Sequence, residues 1–135
     1  MDSARIRRMQ KHSILSFGVA VFALCALASR PAVAHHGWSG QAEEESTLTG
    51  TLETAVSLAG PHATAKIKTA DGQVWDLTMA PPSMTSSAGL REGIIPLGAT
   101  VTVRGHRSTT PKRFEMKVEQ VQWNNRTFAV YSNRH

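Results

Sequence analysis

The chain of 135 residues contains a single cysteine, Cys25, and few aromatic residues, 6% of the total. Cys25 lies in an apolar segment near the N-terminus, and the residues after Ala34 contain no cysteine. Disulfide bonds, a cysteine nucleophile and cysteine-ligated zinc sites are therefore excluded from that part of the chain. A groove with several exposed aromatics, which single-stranded nucleic acid needs, is not expected either.

Acidic residues are outnumbered, but the excess of basic charge is confined to one end. The chain has fifteen Lys and Arg residues against ten Asp and Glu. Residues 1–34 hold five of the basic residues and one of the acidic ones, which leaves the remainder at a net charge of +1. A net charge of +1 does not favour binding to a polyanion, and we predict no nucleic-acid partner.

The first 34 residues have the three-part organisation of a secretory signal peptide. A basic stretch is followed by an apolar run of 15 residues, Ile14 to Ala28, and by small residues ending at Ala34. A run of this length is shorter than the roughly 20 residues that span a bilayer, which disfavours an uncleaved anchor. Cleavage after Ala34 satisfies the A-x-A rule, whereas the competing site after Ala28 would leave almost no polar spacer. We predict export to a bacterial periplasm, with no stable membrane insertion after cleavage.

Residues 35–45 are predicted to form an N-terminal arm, and residues 46–135 a single domain of short strands. Apolar and polar residues alternate there with period two between turn signals. The predicted strands cover residues 46–58, 62–69, 73–79, 99–106, 114–123 and 127–131. Turns are predicted at Asp71-Gly72 and Asn124-Asn125, and a strongly curved first strand at Gly50.

A short helix is predicted between the third and fourth strands, with Ser83 as N-cap and Gly89 as its C-terminal stop. This order predicts an all-β fold, a small OB-like antiparallel barrel of five to six strands. A plain meander or sandwich is the alternative. Barrel closure protects strand edges without disulfides.

Cleavage after Ala34 would expose a terminus that reads His35-His36-Gly37-Trp38. A terminal histidine offers an α-amino group and an imidazole nitrogen, and the amine titrates at about 7.7–8.0, so a metal displaces its proton at little cost. With a further imidazole this is the donor set of a histidine brace, and copper binds most tightly in the divalent series. His36 could instead bind copper through the amine, the intervening amide and its own ring. Alternatively, both histidines are exposed to solvent without a ligand.

Two further histidines, His106 and His62, fall at predicted strand ends, where ligands are often presented. In an OB barrel the strand of His106 runs antiparallel to the first strand, so His106 should lie near the N-terminal arm. His62 should lie at the opposite rim, although the arm of nine residues could extend about 30 Å and reach it. The alternatives are a backbone-bonded turn residue for His62 and a solvent-facing strand end for His106.

Tryptophans, methionines and acidic residues are the other residue types that could form part of a site. Trp75 is predicted in the core and Trp123 as a cap of the barrel, while Trp38 either pins the arm against the barrel or is an exposed anchor. The thioethers of Met79, Met84 and Met116 could assist cuprous copper, but filling gaps in a core is their common use. The acidic residues fall on polar strand faces, on turns or in the solvated Gln41–Glu45 connector.

No nucleophile elbow, phosphate loop or dinucleotide fingerprint occurs, so no enzymatic activity is predicted. The mature chain does resemble a family of exported bacterial proteins, the domain-of-unknown-function 6152 family. The matching segments are His35-His36-Gly37-Trp38, Leu48-Thr49-Gly50-Thr51, Gly60-Pro61-His62, Asp71-Gly72, Trp75, Ala80-Pro81-Pro82-Ser83, Gly89-Leu90, Gly98, Val101-Thr102-Val103, Gly105-His106, Glu115-Met116 and Arg126-Thr127. The resemblance implies that the histidine start and the Pro-His turn are family features, without assigning them a role.

The sequence therefore predicts a monomeric, non-enzymatic periplasmic protein that binds copper. The expected ligands are His35, with His36 and His106 as co-ligands and His62 as a further candidate. Its partner would be the metal ion or an envelope protein. The alternative is an OB-like interaction module that binds a peptide, a small molecule or an envelope partner without metal, on a face around Trp38, Trp75 or Trp123.

Overall fold

A computed structural model describes residues 38–132 of the chain. They form six strands and one short helix, in the order β1 (Ser46–Ser57), β2 (Thr64–Thr69), β3 (Val74–Thr78), α1 (Pro82–Ser87), β4 (Thr100–Arg107), β5 (Glu115–Trp123) and β6 (Arg126–Ala129). Among these residues, no helix has the length and apolar character needed to cross a bilayer.

The strands close into a barrel, in the order β3-β2-β1-β4-β5, with β6 added beside β5. Every pairing is antiparallel except the closing one, in which Asp76, Leu77 and Thr78 run parallel to Glu115, Met116 and Lys117. An odd number of strands cannot alternate in direction all the way round a closed sheet, so one pair must be parallel. The predicted OB-like barrel is confirmed, but it is a mixed barrel rather than a purely antiparallel one.

The barrel interior is filled by the apolar residues that alternate along each strand. In β1 the inward positions are Leu48, Gly50, Leu52 and Val56. Trp75 is 9% exposed and belongs to the core, as predicted, and Trp123 packs against that core while partly exposed. A Cβ at Gly50 would lie 2.6 Å from the Lys68 carbonyl oxygen, so β1 has no room for a side chain at this position, as predicted.

The turns and the helix end agree with the sequence, whereas the helix start does not. Asn124 and Asn125 both have positive φ in the β5–β6 turn, and Gly89 ends α1 at a φ of 92°. The prediction of Ser83 as N-cap is wrong. Helix α1 begins at Pro82 without a side-chain cap, because proline fixes a helical φ at a position where no N–H donor is required.

Candidate metal site

The predicted terminal ligands, His35 and His36, lie outside the described residues, which start at Trp38. From Trp38 onward, the arm is attached to the end of β4. Gln41 forms an antiparallel bridge with Ser108, and the Ala42 amide donates to the Arg107 carbonyl at 2.8 Å. The arm therefore extends the sheet at the rim where β1 starts and β4 ends.

His106 lies directly beside this arm, where the barrel topology predicted it. Its Nδ1 is 2.8 Å from the Ala42 carbonyl oxygen, and the side chain is largely buried. Since a carbonyl oxygen can only accept, Nδ1 must carry a proton and donate it. This is the contact that commonly fixes the ring of a metal-binding histidine and leaves Nε2 for the ligand.

The other ring nitrogen of His106 faces a carboxylate that the sequence did not single out. Glu119 Oε1 lies 3.2 Å from His106 Nε2, and Glu119 as a residue is only 7% exposed. The two atoms either share a second ring proton or bind a cation between the Nε2 lone pair and the carboxylate. A buried carboxylate beside an imidazole is also a common pair of ligands for divalent metals.

A β-bulge brings Glu119 to this position. Arg104 pairs with Gln120 and the next residue, Gly105, pairs with Val118, so Glu119 is the extra residue on β5. Its carbonyl accepts hydrogen bonds from the amides of Val130 and Tyr131. Bulges often redirect a side chain next to a functional site. Here the bulge places Glu119 on the same outer face of the barrel as His106.

A third ligand group comes from the residue before β1. One ligand atom each from Glu45, His106 and Glu119 lie within 4.8 Å of one another, and no other such group of His, Cys, Asp and Glu occurs within residues 38–132. Glu45 is exposed and also lies 3.5 Å from Arg104 Nε through Oε1. A carboxylate has two oxygens, so this contact leaves a second one for a metal.

Aromatic rings cover the site from the side of the arm. The Trp38 ring packs edge-on against His106 at 5.4 Å between centroids and against Tyr131 at 5.3 Å. Lys117, which is buried, places Nζ 4.5 Å from the Trp38 centroid and 6.0 Å from that of Tyr131. These cation–π and ring contacts hold the arm against the barrel, in agreement with the first of the two roles predicted for Trp38.

The remaining sequence candidates lie elsewhere. His62 precedes β2, at the end of β1 remote from Ser46, and its Nδ1 bonds to the Met79 carbonyl oxygen at 3.0 Å. Met79 and Met116 are buried in the barrel interior, and Met84 is 44% exposed on α1. The structure thus brings His106 together with two carboxylates, and it does not bring His62 into that group.

No family model matches the chain, and no curated protein is similar to it. Among solved structures, the complex of TiaS with its transfer RNA and ATP is similar over 59% of this chain, at 18% identity and a TM-score of 0.45. A mutant of TiaS bound to agmatine is similar over 68%, at 17% identity and a TM-score of 0.45. The chain spans only 18% and 24% of those two proteins.

Proposed function

We propose that this protein is an exported, non-enzymatic copper-binding protein whose metal site is built on His106, Glu119 and Glu45. The single observation that carries the proposal is the convergence of these three ligand groups within 4.8 Å, with His106 oriented by its Nδ1 bond to Ala42. The role we propose is copper handling or delivery. Membership of the domain-of-unknown-function 6152 family and export by a signal peptide stay predictions.

The terminal histidines would complete the site if the chain begins at His35. Trp38 touches His106 and stands three positions after His35, a reach of about 10 Å at about 3.3 Å per residue. That reach is enough for the α-amine and imidazole of His35, or the imidazole of His36, to meet the ion held by His106. The position of Trp38 thus favours the rim of His106 over that of His62.

Copper fits this donor set better than other divalent ions. An amine, imidazoles and carboxylates are nitrogen and oxygen donors, the set that Cu²⁺ accepts in tetragonal geometry. Copper also leads the divalent affinity order, ahead of zinc and nickel. Zinc is the nearest competitor, since a set of imidazoles and one carboxylate is common among zinc sites.

The test uses protein that begins at His35, exposed to one equivalent of Cu²⁺ and measured as a native intact mass and by competition with a chelator. We expect one retained copper with a dissociation constant below about one micromolar. A single glycine added before His35 removes the amine chelate and leaves the barrel unchanged, so it should weaken binding. No submicromolar copper binding, or an unchanged affinity in His106→Ala, would overturn the proposal, and an unchanged affinity in His35→Ala would remove the terminal histidine from the ligand set.

One observation favours the second candidate, an interaction module that does not need metal. Phe114 is 40% exposed and packs edge-on against Trp75 at 5.4 Å, while the Arg107 guanidinium lies 4.9 Å above the Trp75 ring. Phe114 and Arg107, which cover the buried Trp75 ring, give an aromatic and cationic surface that suits a peptide or an envelope protein. A partner recovered in the presence of chelator and lost in Phe114→Ala would support this function.

A further inference from the structure

We infer that the site discriminates between the two oxidation states of copper, holding Cu²⁺ and releasing Cu⁺ when a one-electron donor reduces the bound ion. The inference rests on the proposed copper site and deepens it. It would make the protein a carrier whose cargo is unloaded by reduction. Three features carry it: the donor atoms, the position of the sulfur atoms and the charge at the site.

The donor atoms near His106 are oxygen and nitrogen. Glu119 Oε1 lies 3.2 Å from His106 Nε2, and a carboxylate oxygen of Glu45 belongs to the same group. Carboxylates are hard ligands that favour divalent ions, whereas Cu⁺ is soft and is selected by thiolate and thioether sulfur. The two carboxylates in the ligand set therefore favour Cu²⁺ over Cu⁺.

The sulfur atoms that would reverse this preference lie elsewhere. Within the described residues, the methionines are Met79 and Met116, which are each 1% exposed inside the barrel, and Met84 on α1. His106 and Glu119 lie on the outer face of β4 and β5, across the sheet from the interior. No cysteine follows Cys25 in the sequence. The methionine sulfur atoms that the sequence offered as ligands for cuprous copper therefore do not belong to this site.

The negative charge of the site also favours Cu²⁺ over Cu⁺. Two carboxylates stabilise a doubly charged ion more than a singly charged one. Glu119 is 7% exposed, so its charge is screened less than that of a surface residue. The Nδ1 bond to Ala42 fixes the His106 ring so that Nε2 lies beside this carboxylate.

The unloading step is a one-electron transfer. Bound Cu²⁺ gains one electron and becomes Cu⁺, and a donor of the ascorbate class loses that electron. The bonds from Glu119, Glu45 and His106 Nε2 to the ion would then break, and Cu⁺ would pass to a soft acceptor. A proton from solvent would then restore the contact between Glu119 and His106 Nε2, and Glu45 would keep its contact with Arg104.

The experiment measures both affinities on the same protein beginning at His35. Cu²⁺ is titrated against a divalent competitor, and Cu⁺ is titrated anaerobically against bicinchoninate. The variants are Glu119→Gln and Glu45→Gln, which keep the side-chain shape and remove the charge. Glu53→Gln, at an exposed position of β1 outside the group of three ligands, is the matched control. Circular dichroism of each variant shows whether it folds.

We expect the protein to bind Cu²⁺ at least about tenfold more tightly than Cu⁺, and ascorbate to transfer the copper to bicinchoninate. Glu119→Gln should weaken Cu²⁺ binding by at least about tenfold and Cu⁺ binding much less, so the preference shrinks, while Glu53→Gln changes neither. Equal affinities for the two ions, or equal losses of both in Glu119→Gln, would overturn this inference alone. Failure to bind either ion would overturn the proposed function as well.

Discussion

Gly105 and Lys117 approach each other so closely that no side chain fits between their backbones. A Cβ placed on Gly105 would lie 2.0 Å from the Lys117 carbonyl oxygen. The contact sits at the register shift that makes Glu119 the extra residue of β5. The glycine next to His106 is therefore a structural requirement of the bulge that brings Glu119 to the histidine.

Gly105→Ala should lower the free energy of unfolding by about 3 kcal/mol or more, because the backbone of β4 or β5 must move. Gly93→Ala is the matched control. Gly93 has a φ of 78° and nothing within 4 Å of an added Cβ, so only the strained backbone conformation costs free energy, about 1 kcal/mol. Urea unfolding of both variants makes the comparison. Equal losses would contradict the close approach of β4 and β5.

His106→Ala and His62→Ala should separate the two histidines that the sequence left as candidates. Removing His106 should weaken Cu²⁺ binding by at least about tenfold, since its Nε2 faces Glu119. Removing His62 should leave copper binding unchanged and cost about 1 kcal/mol of stability through its bond to Met79. Isothermal titration calorimetry measures the affinities. A larger loss of affinity in His62→Ala would mean that the arm reaches the other rim.

Arg104→Gln should strengthen copper binding, because the positive charge of Arg104, 3.5 Å from Glu45 Oε1, repels a cation bound at the other oxygen of that carboxylate. We expect a gain of about three- to tenfold, and a change in stability below about 1 kcal/mol because the ion pair is exposed. Arg113→Gln, which removes a comparable contact to Glu115 at 2.9 Å, is the control and should leave the affinity unchanged. Weaker binding in Arg104→Gln would argue against Glu45 as a ligand.

Trp38→Ala should weaken copper binding by about two- to fivefold, because the cation–π and ring contacts that hold the arm to His106, Tyr131 and Lys117 are lost. Trp38→Phe retains a ring and should recover part of the loss. Trp38 also gives an optical signal, since bound Cu²⁺ should quench its fluorescence. Quenching of the same size in Trp38→Phe would show that Trp75 or Trp123 lies nearer the ion.

The turn between β2 and β3 gives a prediction on acid stability that does not involve the metal site. The Thr69 hydroxyl and then the Gln73 amide donate to Asp71, which lowers the pKa of its carboxyl below the ordinary 3.8. A lowered pKa adds stability that is fully present above pH 3.8 and is lost as the pH falls through the lower value. Asp71→Asn should therefore flatten the fall in stability below pH 3.8, measured by thermal unfolding. An unchanged slope would contradict this assignment.

The sequence predicted the features of the fold that depend on local patterns. Alternation along β1 and the Asn124-Asn125 turn follow from period two and from the backbone freedom of asparagine. Strand order then placed His106 beside the arm, because β4 runs antiparallel to β1 in an OB barrel. The capping preference of serine did not predict the start of α1 correctly, because the helix begins at Pro82 without a side-chain cap.

The two carboxylates of the site were not predicted, because both depend on contacts between distant segments. Glu45 stands in an acidic connector that resembles a solvated arm. Glu119 was expected on a polar strand face, and only the bulge opposite Gly105 turns it toward His106. One signal was present in the sequence: the inward residues of β5 are Met116, Val118 and Val121, so their spacing changes from two to three at the bulge.

The most direct test of the copper site is a crystal structure of the protein beginning at His35 with one equivalent of Cu²⁺, with anomalous diffraction recorded at the copper edge. We predict one strong anomalous peak at about 2.0–2.2 Å from His106 Nε2 and from a carboxylate oxygen of Glu119. The His35 amine or a ring of His35 or His36 should complete the coordination. A peak bound only by the terminal histidines, away from His106, or a peak at His62, would contradict the site described for this protein.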